Sequence, residues 1–462
     1  MYARNSKVLV AIASALLLGG VTAGCGGGSS DNGSGGGSGT GSGTAQTAAG
    51  VANTDSTAKS DKKVTLSLLV DNTQDSTNSA NALVEAFEKK YPNIEVEIET
   101  RPTGGEGDNL VKTRLATGDM TDVFFYNSGS LMQALNPEQN LLDLTNEPYW
   151  PNVVDSFRPT VTFNGKLYGA PNGATMGGGW FYNKKIYKDL GLSVPKTWAE
   201  LIANNEKIKA AGLTAVIGSF KDDWTSQLIL LADYYNVQTA NPKFADDYTN
   251  NKAKFASDPA ALRGFEKLEE INKKGFLNKD FLATNYDAGM KMLAEGKGAH
   301  YPMLTFAVPA LEQNYPDKMN DIGFFAQPGD SAENNGLTVW MPGAAYIYKK
   351  SEHIEEAKKF VQFVASAEGL AATVSVSKPS GPYAIKDAKL PDNVAPAVKD
   401  MLPYFDSGKT APALEFVSPL KGPSLPQITQ EVGAGYKTAK QGAELYDKDV
   451  EKSAKQLGLK GW

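Results

Sequence analysis

The chain has one cysteine and two histidines in 462 residues. A single thiol excludes an internal disulfide, and three such residues cannot supply the four ligands of a Cys/His zinc site. There is no Asp-x-Asp-x-Asp-Gly loop, no Gly-x-Ser-x-Gly string and no Walker loop. Gly177-Gly178-Gly179 lacks the following Lys-Ser/Thr, which argues against a phosphate cradle. Basic residues are outnumbered 46 to 52, for a net charge of −6. That balance argues against nucleic acid or an anionic membrane surface as the main partner. Beyond the N-terminal segment no stretch reaches 18 apolar residues. No catalytic residue, metal or cofactor is assigned.

The lone thiol, Cys25, closes the string Leu16-Leu17-Leu18-Gly19-Gly20-Val21-Thr22-Ala23-Gly24. Arg4 and Lys7 give a positive start, the run from Val8 to Ala23 is apolar or small, and no acid occurs before Asp31. The pattern looks like a bacterial lipobox. Residues 1–24 are read as a lipoprotein signal peptide, with Cys25 as the lipid attachment point that anchors the chain to the outer face of the cell membrane. The apolar run is about 16 residues, short of the roughly 20 a spanning helix needs. Cleavage deletes Arg4 and Lys7 but no acid, taking the net charge from −6 to −8. Residues 25–62, with Gly26-Gly27-Gly28-Ser29-Ser30 and Gly35-Gly36-Gly37-Ser38-Gly39, read as a flexible tether. Such a stretch buries too little to offset its chain entropy.

Order is expected from Lys63. Val64, Leu66 and Leu68 alternate with Thr65 and Ser67, which predicts a strand running on to Val70. A polar loop, 71–77, precedes a helix with Leu83, Val84, Phe87 and Tyr91 on one face, ended by Pro92. Ile94, Val96 and Ile98 alternate with glutamates as a second strand. A short helix closes at Gly118, and Asp122–Tyr126 forms a third strand. Strands alternating with helices imply an α/β fold with a largely parallel sheet covered on both faces. Ligands bind such sheets beyond the carboxyl ends of the strands, which makes the loops 71–77 and 126–130 the first candidate site elements. Further helices are expected after Asp258-Pro259 and after Ser351. Roughly 400 ordered residues exceed what one core usually serves, so two lobes are expected.

Several strings resemble the carbohydrate-binding family of extracellular solute-binding proteins, the receptors of ABC importers. They are Asn164-Gly165-Lys166-Leu167-Tyr168-Gly169-Ala170-Pro171, Phe181-Tyr182-Asn183-Lys184-Lys185 with Pro195-Lys196-Thr197-Trp198, Ala294-Glu295-Gly296-Lys297-Gly298, and Glu355-Glu356-Ala357-Lys358-Lys359-Phe360. The resemblance spans residues 63–440. It implies two α/β lobes of the periplasmic-binding-protein type II kind joined by crossing strands, a ligand cleft between them, and hinge closure. The expected division is lobe 1 over 63–172 and 327–370, and lobe 2 over 173–326 and 371–462. The implied partners are an oligosaccharide and a membrane permease, with the protein a monomer and not an enzyme.

A sugar has an apolar face and a polar rim, so it calls for an aromatic platform with hydrogen-bonding groups around it. The first loop offers Asn72, Gln74 and Asp75. By resemblance to maltose-binding proteins, that loop makes polar sugar contacts, and Tyr126 and Asn127 fall in the second contacting loop. Trp224 and Phe306 fall at family aromatic positions. Trp180 follows three glycines, which permit close approach of a ligand, and Trp340 sits near a lobe crossing. Any of these aromatics could equally be core. Trp198 is assigned to structure, and Trp150 and Trp462 are left unassigned. The rival readings are a receptor for a polyamine or peptide, which would use Asp75, Asp222 and Asp223, a surface glycosidase, whose two carboxylates leave no linear signature, and a wall-binding or adhesion module, which would bind polymer without lobe closure.

Overall fold

The computed structural model describes residues 63–386 and 388–462. Cys25, the signal peptide and the tether lie outside the described residues. The alternation at the start of the ordered chain makes the strand Val64–Asp71, with Leu66 and Leu68 fully buried. It pairs in parallel with Ile94–Arg101, from Val64 opposite Ile94 to Asp71 opposite Arg101. Val123–Tyr126 lies parallel on its other side. Gly343–Ile347 and then Gly169–Asn172 complete a five-stranded sheet through antiparallel pairings.

The expected loop 71–77 is shorter in the structure. A helix, Gln74–Lys90, already begins at Gln74. Asp71 Oδ1 accepts from Thr73 Oγ1 at 2.7 Å, and Thr73 Oγ1 accepts the Ser76 N–H at 3.3 Å, so the cap forms four residues earlier than the expected loop allows. Gln74 and Asp75 therefore sit on a helix's first turn. Leu83, Val84 and Phe87 form its buried face as expected.

The second sheet is built around Met176–Asn183, whose last seven residues are all buried. Gly298–Leu304, Ile322–Ala326 and Leu337–Trp340 pair antiparallel with it, while Thr214–Val216 and Thr410–Pro412 extend the sheet. The glycines before Trp180 make room for packing, not for a ligand. A Cβ on Gly178 would lie 2.3 Å from Trp340 Cζ3, and one on Gly179 would lie 2.3 Å from the Phe325 carbonyl. Trp180 is fully buried, its indole N–H donates to Gln327 Oε1, and its ring stacks on Phe325. Its expected role as a ligand contact is corrected to that of a core residue.

The core of this second lobe also encloses polar groups. His300 Nδ1 faces two acceptors, Asn205 Oδ1 at 2.8 Å and the Ala215 carbonyl at 3.0 Å, so Nδ1 carries the proton. Nε2 then accepts from the Tyr187 hydroxyl at 2.6 Å. Burial pushes the imidazole pKa down to about 3. Nearby, Lys267 Nζ donates to Asp233 Oδ1 and to the Pro328 carbonyl, both side chains being 1% exposed.

Two of the expected lobe boundaries shift. Leu337–Trp340 belongs to the second sheet, so 327–340 stays in lobe 2 rather than returning to lobe 1. The return comes at Met341-Pro342, where proline cannot continue a ladder. Lobe 1 then keeps more of the chain than expected: the helix Ala367–Val376 packs on Gln74–Lys90, and Ala384 and Ile385 join the first core. The chain is back in lobe 2 by Val394. The first two crossings run side by side, with Asn172 opposite Gly343 and Met176 opposite Trp340. Thr175 joins the third passage to them, donating from both N and Oγ1 to the Pro382 carbonyl.

Candidate functional site

The carboxyl ends of the parallel strands of lobe 1 carry Asp71, Arg101 and Tyr126. Asp75 stands beside them, half-buried, with Oδ1 accepting from Ser377 Oγ at 2.7 Å. Burial raises its pKa, the Ser377 bond opposes the rise, and the neighbouring Asp71 adds to it. Asn72 and Gln74 are exposed, and Gln74 Nε2 donates to Asn78 Oδ1 at 2.8 Å. Tyr126 is buried against this edge. Its hydroxyl donates to Asp108 Oδ1 at 2.9 Å, and the Arg101 guanidinium lies 5.4 Å from its ring centre. Burial first and Asp108 second hold its phenol well above the usual range. Asn127 is exposed, while its carbonyl accepts from Tyr346 at 3.0 Å.

Lobe 2 presents rings instead. Trp224, Tyr286 and Phe306 come from three separate stretches and meet as a triangle. Their ring centres are 5.4 Å (Trp224–Tyr286), 5.8 Å (Trp224–Phe306) and 5.8 Å (Tyr286–Phe306) apart, all tilted. All three are half-buried. Trp224 lies in the short 3-10 helix Asp223–Gln227, Tyr286 opens the helix Tyr286–Ala294, and Phe306 precedes the helix Ala307–Asn314.

The triangle faces lobe 1. A Cβ on Gly104, which has φ +69°, would lie 3.7 Å from Trp224 Cδ1. Burial raises the Tyr286 phenol far above its ordinary pKa, and the Asp75 carboxylate adds to the rise from the opposite lobe. The structure thus brings Asp75, Trp224 and Phe306, three residues expected from sequence, to one inter-lobe site. Tyr286 was not expected. It lies 62 positions from Trp224, and its only local mark is the preceding Asn285, which caps the helix by accepting from Ala288 N–H.

Trp340 does not join the triangle. It is 6% exposed, packs on Gly178, and donates to Glu415 Oε1, which places it in the lobe 2 core and corrects its expected role. It borders a cavity of about 30 Å³ inside that lobe, together with Leu230, Tyr234, Phe255 and Leu420. The aspartates that a polyamine site would use are engaged. Asp222 Oδ2 accepts the Tyr286 backbone N–H at 2.7 Å, and Asp223 Oδ2 accepts from Gln427 Nε2 at 2.6 Å.

Among the described residues no three His, Cys, Asp or Glu side chains are grouped to hold a metal ion. Among them, too, no helix is long and apolar enough to cross a membrane. The site combines an apolar platform on one lobe with carboxylate, amide and guanidinium groups on the other. That pairing suits non-covalent capture of a molecule with one apolar face and a polar rim.

The family model for bacterial extracellular solute-binding proteins matches residues 71–371. A multiple sugar-binding protein of Streptococcus mutans is 28% identical over 313 residues, 66% of this chain and 72% of that protein. An ABC transporter extracellular-binding protein of Pyrococcus horikoshii is 25% identical over 421 residues, 90% of each chain. Among solved structures, a chitin oligosaccharide binding protein aligns with a TM-score of 0.75 at 23% identity, covering 85% of this chain and 99% of its own. RafE in complex with raffinose aligns with a TM-score of 0.69 at 24% identity, covering 84% and 100%. These two structural likenesses are of fold.

Proposed function

The chain belongs to the bacterial extracellular solute-binding protein family, and from that membership we propose that it captures an oligosaccharide between its lobes and delivers it to the permease of an ABC importer. It is a binding protein and not an enzyme. The observation that carries the sugar reading is the ring triangle Trp224–Tyr286–Phe306 set against the polar edge of lobe 1. The sugar-binding name of the Streptococcus mutans relative and the oligosaccharide named for the two solved neighbours support it.

The ligand first seats on the rings of lobe 2. Asp75 and its neighbours then close over it by rotation about the crossing strands. Contacts to both lobes exist together only in the closed form, and this differential binding shifts the balance toward closure. Asn72, Gln74 and Asn127 are proposed as rim contacts, and Tyr126 as a group that orients Asp108. We further propose that Cys25 carries the lipid that holds this monomeric receptor at the outer face of the cell membrane.

A thermal-shift panel of oligosaccharides, polyamines and peptides tests the reading. A ligand at about 100 times its Kd stabilises the native state by roughly 2.7 kcal/mol. The expected outcome is a shift with one class of oligosaccharide, recovered intact. A shift only with polyamines or peptides would replace the sugar, and hydrolysed sugar would replace the receptor. Mass spectrometry of the membrane-bound protein tests the anchor, with a diacylated Cys25 at the new N-terminus as the expected result.

A further inference from the structure

The three rings of the cleft belong to stretches far apart in the chain and meet only through their side chains' packing. We propose that Asp222 is the positioning residue that sets the Trp224–Tyr286 pair, a role that rests on the oligosaccharide reading above. Asp222 lies two residues before Trp224, and its Oδ2 accepts the backbone N–H of Tyr286 at 2.7 Å. It therefore ties the stretch carrying one ring to the first residue of the helix carrying the next.

The surrounding bonds make this tie directional. Phe220 N donates to the Phe281 carbonyl at 2.8 Å and Lys221 N to the Thr284 carbonyl at 3.0 Å, so the two stretches run laced together up to Asp222. There the Asp222 side chain continues the lacing by reaching across to the Tyr286 N–H. Its own backbone is held, with N donating to the Ser219 carbonyl at 3.2 Å and its carbonyl accepting from Thr225 N at 2.9 Å. On the far side of Tyr286, the carbonyl accepts from Tyr301 Oη at 3.4 Å, and that hydroxyl also pairs with Ser219 Oγ at 2.8 Å. The peptide of Tyr286 is thus clamped at both ends by groups from the Trp224 stretch and the adjoining strand.

The chemistry suits a carboxylate. The first N–H groups of a helix have no intrahelical partner. A negative charge there is favoured by the helix dipole as well as by the charge-assisted bond. Asp222 is accordingly committed to the protein rather than to a ligand. It acts on affinity by pre-organising the rings, so that the ligand need not order them on binding.

The test compares the full chain with its Asp222→Asn and Asp222→Ala variants in three measurements: hydrogen exchange at the Tyr286 amide without ligand, oligosaccharide affinity by calorimetry, and a double-mutant cycle with Trp224→Ala. Asp222→Ala is expected to speed Tyr286 exchange and weaken binding, each about tenfold, the size of a lost bond to a charged group. Asp222→Asn keeps one acceptor oxygen and is expected to fall between. Trp224→Ala should cost less affinity in the Asp222→Ala background than alone, because the platform is already loosened. Unchanged exchange, or faster exchange with unchanged affinity, overturns the proposal. Should the Ala variant fail to fold, Asp222→Asn decides by the same readouts. If the unaltered protein binds no oligosaccharide, the sugar reading fails. Tyr286 exchange and the Trp224 emission of the ligand-free protein then decide the role of Asp222, both unchanged in Asp222→Ala overturning it.

Discussion

In lobe 1 the core is apolar, built on Leu66, Leu68, Phe87 and Phe124, and polar side chains crowd its cleft edge. In lobe 2 the core encloses Asp233, Lys267 and His300, and the cleft edge is aromatic. Of the Asp, Glu, Lys, Arg and His side chains buried among the described residues, Arg101 alone lies in lobe 1, and it lies at the cleft. The difference separates stability from binding. Where polar groups are walled in, each must keep its partner or the fold loses free energy. Where they face the cleft, their loss falls on the ligand. Substitution of the core-buried polar residues of lobe 2 should therefore damage folding, and of the cleft-edge polar residues of lobe 1 affinity, with aromatic residues in lobe 2 divided between core and cleft.

The sharpest way to break this contrast is Lys267→Met. It strands Asp233 in the core and should cost about 3–5 kcal/mol in urea unfolding at pH 7. Restoring most of that loss by adding Asp233→Leu would show that the stranded charge, not packing, is responsible. Trp180→Ala should cost a similar 3–5 kcal/mol and leave the affinity of the folded protein unchanged.

His300 gives an effect of comparable size, spread over pH. Its native pKa is about 3, against an ordinary value of 6.5. Between these values the unfolded chain binds a proton that the native state does not, so stability rises with pH there. The contribution is complete above about pH 6.5 and is lost as pH falls toward 3, amounting to roughly 4–5 kcal/mol at the acid end. Unfolding midpoints taken from pH 7 down to pH 4 should show this slope, and His300→Gln should flatten it.

Trp224→Ala should leave the melting temperature within a few degrees and weaken oligosaccharide binding about 30-fold, close to 2 kcal/mol, measured by calorimetry. Asp75→Asn should have the smallest effect, about fivefold in Kd. It keeps an acceptor for Ser377 and removes the charge that faces Tyr286. A larger stability loss than affinity loss for Asp75→Asn would erase the contrast between the lobes.

The same contrast governs what was legible in the sequence. In lobe 1 the start of Val64–Asp71 and the strand Ile94–Arg101 alternate buried with more exposed residues, so Leu66 and Leu68 against Thr65 and Ser67 declare the strand and its inward face. The parallel neighbours follow from the helices between them. The helix opened by Pro259 was equally plain, because Asp258 accepts from the N–H groups of Ala260 and Ala261. In lobe 2 the central strand Met176–Asn183 is buried from Gly177 onward and has no alternation. Its glycines looked like room for a ligand, and only the packed structure shows Trp340 and the Phe325 backbone filling that room. Asp222 stood out in the sequence only as a carboxylate a polyamine receptor would use, since nothing local reveals that it reaches Tyr286. Trp224 and Phe306 were reached through family resemblance. Tyr286 was missed because a lone tyrosine at a helix start has no pattern of its own.

The paired crossings have a mechanical consequence. Two antiparallel passages bonded at Asn172–Gly343 and Met176–Trp340, with a third lashed to Thr175, behave like a leaf spring. Such a strip flexes easily about one line, but it resists shear and torsion because those would rupture its bonds. The closure proposed above would accordingly bend the strip near Thr175, carrying the ring platform through an arc rather than sliding it.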